Sequence, residues 1–362
     1  MGTSYWDYIR VEDLLRLQGG LDDNEADLTN HEVTFITVHQ VFELWFRLVI
    51  RELEGLRAIL AQPVVPEQEM AAAARGLDRV KRIFVVANDH WQVMESLNTR
   101  DYLDFRDKLF PASGFQSAQM REIEILLGLD DDDRVGLGGK GGWIEALKSD
   151  DGTPSPAHER VQRRLADDAP SLREAVDAWL HRTPIRGSQP FDAGDDAVVD
   201  GFICDYLDRM REVVQGTLEE RLDVRLGEEA KAGVRARYAQ EIADAEAWLN
   251  PDDARRRRIR AAILFIESYR ALPMLSGPRD VLDRLVETEQ AILIFRQRHA
   301  RMVERIIGRR VGTGGSSGVD YLDATAVAYR VFKDLWSART YLLRRDALPP
   351  LPDPSFYEFP DR

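Results

Sequence analysis

A histidine followed by a glycine-rich run gives the C-terminal third of the chain its chemical character. His299 lies in the stretch AILIFRQRHARMVERIIG, where apolar side chains recur every three or four residues and mark one face of a helix. The run GTGGSSG at 312–318 cannot continue that helix, and its glycines can bring backbone close to a ligand. The imidazole could be a hydrogen-bonded core residue, or a neutral ligand for a metal or haem iron in a dry pocket. On its own the residue leaves both interpretations open.

Two further polar side chains stand in similarly apolar surroundings. His39 lies about two turns inside a helix predicted from Glu32 to Leu60, whose apolar residues cover most of its faces. Arg106 is surrounded in sequence by leucine and phenylalanine, and a guanidinium in such a place needs an anionic partner. That partner could be an internal carboxylate or a bound ligand, and the sequence around Arg106 favours neither.

The elements that must position these residues are all predicted to be helices. No β-strand pattern of useful length is present, so the sequence predicts an all-α fold: a helical bundle with a cofactor pocket between long central helices. We predict one domain over 1–362, with a helical excursion at about 176–273 packed on the main bundle. Besides the helix at 32–60, the pattern predicts helices at 5–17, 69–96 and 321–343. In the first of these, the positions expected to be buried are Tyr5, Tyr8, Ile9, Leu14 and Leu15.

Composition and charge narrow the possible partners. The net charge of −14 and the pI near 5.0 argue against nucleic acid or an anionic membrane, since both require a basic surface. The arginine run at 255–258 is expected to be a solvated, ion-paired face. A single cysteine, Cys204, excludes an intramolecular disulfide and any multi-cysteine metal site. The N-terminus lacks signal-peptide features and no apolar run is expected to approach membrane-spanning length, so we predict a cytoplasmic protein.

A second glycine-rich run proves less informative. The sequence GLGGKG at 136–141 formally fits the dinucleotide-binding pattern G-x-G-x-x-G. No β-strand pattern precedes it and no apolar helix pattern begins on it, so we predict an ordinary loop.

Four separated stretches together resemble the tryptophan 2,3-dioxygenase family of haem enzymes. They are YWDYIRVEDLL, FITVHQVFELWF, YLDFRDKLFPASGFQSAQMR and RHARMVERIIGRRVGTGGSSG. Weaker similarity includes WLHRTP near Trp179 and VFKDLWSARTYLL near the C-terminus. The order and local spacing agree at each block, so the resemblance covers nearly the whole chain.

The resemblance implies a role for each matching residue. His299 corresponds to the proximal ligand of haem b, and His39 to the distal histidine that accepts a hydrogen bond from the substrate indole N–H. Arg106 matches the arginine that binds the substrate carboxylate, which favours the ligand over the internal salt bridge. The other matching positions bind substrate (Phe35, Tyr102, Ser113, Thr313) or lie near the haem (Trp91, Ser113, Gly314). Tyr5, Tyr8 and Ile9 match a segment that reaches into a neighbouring subunit's pocket, which implies a homotetramer.

The implied reaction inserts both atoms of O2 across the indole C2–C3 bond of L-tryptophan, or of a close indole analogue, to give N-formylkynurenine. Three alternatives stay open on sequence alone. They are a relative that monooxygenates a modified tryptophan, a haem sensor without turnover, and a helical scaffold with two ordinary core histidines.

Overall fold

The chain folds into α-helices joined by loops and short 3-10 turns. The structure, a computed structural model, describes residues 3–110, 114–135, 142–149, 151–221, 227–310 and 318–358. No β-strand occurs in these ranges, which confirms the predicted all-α fold. The α-helices are α1 (Tyr5–Ile9), α2 (Val11–Leu14), α3 (Asn30–Leu60), α4 (Glu67–Met94), α5 (Thr99–Arg106), α6 (Ala118–Leu127), α7 (Gly142–Glu145), α8 (Pro156–Leu165), α9 (Leu172–His181), α10 (Asp195–Arg221), α11 (Glu228–Leu249), α12 (Ala254–Ser268), α13 (Ser276–Ile307), α14 (Gly318–Ala328) and α15 (Lys333–Ala338).

The chain divides into two compact units. Unit 1 comprises Met1–Gly55, Gly76–Ser171 and Glu287–Val331, and unit 2 comprises Leu56–Arg75, Leu172–Val286 and Phe332–Arg362. The stretch at 176–273 that we describe as a helical excursion falls within unit 2. That the whole chain forms one domain stays a prediction.

The core of unit 1 is an aromatic cluster contributed by α3, α4 and α13. The ring of Phe295 lies 5.6 Å from that of Phe42, 5.6 Å from that of Phe84 and 5.3 Å from that of Trp91. Phe46 also packs on this cluster, and all five side chains are at most 5% exposed. Each fully buried aromatic side chain contributes on the order of 2–3 kcal/mol, so this cluster fixes the relative placement of the three helices.

A buried charge network ties α6 to α13 in the same unit. Glu124 is 3% exposed and accepts a hydrogen bond of 2.6 Å from Arg296. It also pairs with Arg121 at 3.0 Å and Arg134 at 2.6 Å. Burial opposes ionisation of Glu124, but the three guanidinium charges outweigh it and hold its pKa below the usual value. The network holds α13 to α6 one turn before His299.

Unit 2 has its own core around α12, which corrects one prediction. Arg255, Arg256 and Arg257 are exposed or partly exposed as expected, but Arg258 is only 5% exposed. Its guanidinium donates to Asp195 Oδ2 at 2.6 Å and to the backbone carbonyl of His181 at 2.8 Å. The prediction of a solvated face is therefore wrong for the last arginine of the run, because α12 turns this side chain into the core.

The N-terminal segment differs from the sequence expectation in two ways. The predicted helix at 5–17 is broken into α1 and α2 by Arg10, whose φ of 54° lies in the left-handed region. The side chains expected to be buried are exposed instead: Tyr5 by 70%, Tyr8 by 80%, Ile9 by 46%, Leu14 by 40% and Leu15 by 60%. The expectation of burial within one chain was wrong, because no part of the described chain covers them.

The last predicted helix, at 321–343, is likewise interrupted. α14 ends at Ala328 and α15 begins at Lys333. Between them, the backbone N–H of Val331 donates to the buried carboxylate of Glu289 at 2.5 Å. A tertiary hydrogen bond has replaced the helical one here, which the local sequence pattern does not indicate.

α3 is long and apolar enough to cross a membrane by length and composition alone. This corrects the expectation that no apolar run reaches that length. The core helix of a globular protein passes the same test, and α3 buries Phe42, Phe46, Val49 and Leu53 in the core of unit 1. The helix also carries Glu43, which accepts a hydrogen bond from Gln119 Nε2 at 2.7 Å.

Candidate active site

His299 lies near the C-terminal end of α13, against an aromatic wall. Its imidazole stacks on the indole of Trp91, with 4.6 Å between ring centroids and an interplanar angle of 3°. Burial, together with the nearby positions of His39 and Arg296, lowers the pKa of His299 to about 3. The ring is therefore neutral at physiological pH. α13 ends at Ile307, and the next residue, Gly308, adopts a φ of 63° and donates its N–H to the Glu304 carbonyl at 2.8 Å.

His39 is held in one orientation by its own helix. Its Nδ1 atom lies 2.7 Å from the backbone carbonyl oxygen of Phe35, one turn earlier on α3. Because a carbonyl can only accept, Nδ1 carries the proton and Nε2 presents a lone pair. Burial lowers the pKa of His39, opposed by that hydrogen bond and by the negative charge of Glu43. The side chain is thus a neutral hydrogen-bond acceptor at Nε2.

Three aromatic residues from α3 and α5 form a wall beside His39. The ring of Phe35 lies 4.1 Å from that of His39, 6.1 Å from that of Tyr102 and 5.6 Å from that of Phe105. α5 begins at a cap formed by Asn98, whose side chain accepts from two backbone N–H groups in the first turn. The cap sets the start of the helix and so the direction in which Tyr102 and Phe105 point.

Arg106 ends α5 one turn after Tyr102, on the same side of the helix. It donates a hydrogen bond to the Tyr102 hydroxyl, and its charge partly offsets the effect of burial, which raises the pKa of Tyr102. Arg106, Tyr102, Phe35 and His39 all keep an intermediate exposure, whereas the neighbouring Phe105 is buried. These four side chains are therefore partly accessible beside a buried aromatic residue.

The two histidines belong to one continuous cluster. From His39, the ring of Phe42 lies at 6.3 Å, and the Phe42 ring lies 4.3 Å from that of Trp91, which stacks on His299. The structure thus brings together six residues of the predicted site, all within unit 1: Phe35, His39, Trp91, Tyr102, Arg106 and His299. Three others, Ser113, Thr313 and Gly314, lie outside the described residues, as does the GLGGKG run. Tyr5, Tyr8 and Ile9 lie on α1 at the surface.

The residues around His299 fit a porphyrin better than a bare metal ion. In the ranges that the structure describes, no three His, Cys, Asp or Glu side chains are grouped to hold a metal, so an iron here would need further ligands from a macrocycle. Within the same ranges neither ring nitrogen of His299 has a hydrogen-bond partner, which leaves the lone pair available. Trp91 Nε1 is buried without a partner as well, on the aromatic wall where a flat apolar group would pack.

His90 is a residue of this cluster that the sequence reasoning missed. Its ring packs edge-on against Phe42 at 5.2 Å, and its Nε2 atom is buried with no hydrogen-bond partner among the residues that the structure describes. Burial lowers its pKa. The only signal in the sequence was the position of His90 directly before Trp91. Adjacent residues of a helix point to different faces, so spacing alone does not predict the contact between His90 and Phe42.

Comparison with known proteins agrees with this arrangement. The family model for tryptophan 2,3-dioxygenase matches residues 1–342. The tryptophan 2,3-dioxygenase of Sorangium cellulosum is 54% identical over 365 residues, covering 98% of this chain and 87% of that protein. Tryptophan 2,3-dioxygenase 2 of Ralstonia nicotianae is 49% identical, covering 98% and 97% respectively. A tryptophan 2,3-dioxygenase-like protein of Xanthomonas campestris is 48% identical over 275 residues, covering 73% of this chain and 98% of that protein. The family resemblance inferred from the four sequence stretches is therefore confirmed, and this chain belongs to the tryptophan 2,3-dioxygenase family.

Proposed function

We propose that this protein opens the indole ring of L-tryptophan with O2 to give N-formylkynurenine, using haem b bound through His299. The observation that carries the proposal is the single cluster in unit 1. In this cluster the neutral imidazole of His299 stacks on Trp91, and the second imidazole, His39, packs on Phe35. Arg106, beside Tyr102, can bind the carboxylate of an amino acid. Family membership supplies the reaction class, and the residues supply the assignment of roles.

Substrate orientation is the task of α3 and α5. The Arg106 guanidinium offers paired N–H donors to the substrate carboxylate, and the Tyr102 hydroxyl lies beside it. The Phe35 ring packs against the indole, and His39 Nε2 accepts the hydrogen bond from the indole N–H. Thr313 is proposed to contact the substrate ammonium group, and Ser113 to lie near haem and substrate. Two charged or polar anchors and one apolar wall fix the plane and direction of the indole.

His299 would hold the haem, and the ferrous iron would bind and activate O2 for reaction with the electron-rich C2–C3 bond. One oxygen atom ends on each carbon as that bond breaks, so the product is the substrate plus two oxygen atoms. The aromatic side chains of the cluster exclude water from the reacting carbons. His39 holds the indole N–H in place and does not need to remove its proton, because attack at the ring carbon does not begin there.

His39→Ala is expected to retain measurable turnover with a raised KM. The variant loses one hydrogen bond to the indole, worth about 1 kcal/mol or roughly fivefold in affinity, while the carboxylate contact stays. Steady-state kinetics on haem-loaded protein would measure this. Complete loss of turnover with an unchanged visible spectrum would show that His39 is an essential general base instead.

The reaction is tested by reducing the purified protein without oxygen and then adding O2 and L-tryptophan. A product that carries two labelled atoms from ¹⁸O2 and an opened ring supports the dioxygenase. One labelled atom without ring opening identifies the monooxygenating relative, and a haem spectrum that responds to O2 without any product identifies a sensor. If the protein stays colourless after haem is supplied, only the helical scaffold with two core histidines remains among the alternatives.

We also propose a homotetramer in which α1 of each subunit lies in a neighbour's pocket. The support is the row of exposed apolar side chains at the N-terminus, since a water-facing cluster of two tyrosines, a tryptophan and several leucines marks a contact surface. The acidic charge and the single cysteine favour a cytoplasmic enzyme that binds neither nucleic acid nor membrane.

Replacing Tyr5, Tyr8 and Ile9 together by serine is expected to weaken the tetramer and raise the KM for tryptophan. The triple variant removes the apolar area that the neighbouring subunit would cover. Light scattering would give the mass and steady-state kinetics the KM. Val64→Ser, another exposed apolar position at 77%, serves as control. An unchanged mass and KM in the triple variant would contradict the exchange.

A further inference from the structure

A charged cleft lies in unit 1, and none of its lining residues belongs to the aromatic cluster. Its volume is about 440 Å³. α3, α6 and α8 supply its lining, which consists of four arginines, two glutamates and one isoleucine: Arg47, Arg51, Arg160, Arg164, Glu54, Glu122 and Ile50. Four guanidinium groups around one cleft are unexpected in a chain with a net charge of −14.

The arginines on α8 are held in place by carboxylates. Arg164 donates to Glu54 at 2.6 Å and lies 3.5 Å from Glu122. Arg160 pairs with Glu122 and donates to Gln119 Oε1 at 3.2 Å. These contacts neutralise the two α8 arginines and fix the wall that they form. The Nε atom of Arg164 is nevertheless buried, and no described residue forms a hydrogen bond with it.

The arginines on α3 differ from those on α8 in their exposure and in their partners. Arg47 and Arg51 are one turn apart on the same face of the helix, and both are exposed. In the part of the chain that the structure describes, neither forms an ion pair or a hydrogen bond. The lining therefore carries two positive charges more than its carboxylates balance. An ordinary solvated face does not explain why these charges converge on a concave surface with a prearranged opposite wall.

We propose that this cleft binds a small oxyanion with two negative charges. A guanidinium presents paired N–H donors that match the oxygens of a phosphate or carboxylate group, and two such groups on one helix face match a dianion. Phosphate esters and dicarboxylates share this chemistry. Arg47 and Arg51 bind the anion directly, and the paired Arg160 and Arg164 form the opposite wall.

Isothermal titration of the full-length protein with inorganic phosphate and, separately, with succinate tests the proposal at fixed ionic strength. At least one of the two dianions should bind wild type more tightly than acetate does, and the tighter one identifies the ligand class. In R47A/R51A its affinity should fall at least about tenfold. Arg163→Ala is the matched control, since Arg163 is an exposed arginine on α8 that does not line the cleft.

Two results would overturn the proposal. The first concerns affinity: either neither dianion binds wild type more tightly than R47A/R51A, or the control variant loses as much affinity as the double variant, so that the loss is not specific to the cleft. In the other, light scattering shows that R47A/R51A changes the mass of the assembly, which would make these arginines subunit contacts. Tryptophan turnover without added anion should be unchanged in R47A/R51A, so failure of the cleft and failure of the proposed function can be told apart.

Discussion

Replacing His299 with alanine is expected to abolish turnover and to remove the visible spectrum of a histidine-ligated haem. The residue is a neutral imidazole, because burial, together with the nearby positions of His39 and Arg296, lowers its pKa to about 3. It stands on a helix anchored by the Arg296–Glu124 contact. Neither ring nitrogen has a hydrogen-bond partner among the described residues, so the lone pair is free to bind iron. Alanine keeps α13 helical, and the loss is therefore confined to the ligand. Absorption spectra of ferric and ferrous protein and a turnover assay would measure it.

Added imidazole provides a sharper test of the same residue. The space left by His299→Ala lies against Trp91, and free imidazole that enters it should restore a histidine-like spectrum. His31→Ala is a suitable control, because His31 is an exposed histidine on α3 outside the aromatic cluster. An H299A variant with an unchanged spectrum and full turnover would mean that another side chain binds the iron, which would contradict the proposed role of His299.

The parts of the site that the sequence could predict are those on long amphipathic helices. His39 and His299 are identified by helical periodicity, and the end of α13 at Gly308 follows from glycine's access to positive φ. The family motifs then connect them with Arg106 and Trp91. Periodicity cannot show which helices meet, so the stacking of Trp91 on His299 and the tautomer of His39 become evident only in the folded structure.

The failures have a common physical cause, namely contacts made far along the chain or outside it. The sequence pattern places Arg258 in a solvated run, yet it is buried because Asp195 and three backbone carbonyls accept hydrogen bonds from its guanidinium. The last helix breaks where Val331 donates to Glu289, 42 residues earlier. The apolar N-terminus was expected in the core, but within one chain nothing in the described ranges covers it. Local propensity contains none of this information.

Arg106→Ala is expected to weaken tryptophan binding about a hundredfold, or about 2.7 kcal/mol, while haem content stays at the wild-type level. A charge-assisted, bidentate contact to the substrate carboxylate is lost, and the carboxylate is left without a counter-charge beside an aromatic wall. Arg106→Lys keeps the charge without the paired donors, so the affinity of this variant for tryptophan should lie between those of wild type and Arg106→Ala. Arg100→Ala, an exposed arginine on the same helix, should bind tryptophan as wild type does. Spectral titration of the ferrous protein with tryptophan would measure each affinity.

The same series decides between the two interpretations of Arg106 that the sequence left open. If the guanidinium serves an internal salt bridge, Arg106→Ala lowers the melting temperature and leaves the affinity for tryptophan nearly unchanged. If it binds the substrate, the affinity falls and the melting temperature without substrate changes little. Indole propionate, which keeps the carboxylate, should lose affinity in the variant as tryptophan does. Indole itself lacks the carboxylate and should bind wild type and variant equally, because the Phe35 and His39 contacts are the same in both.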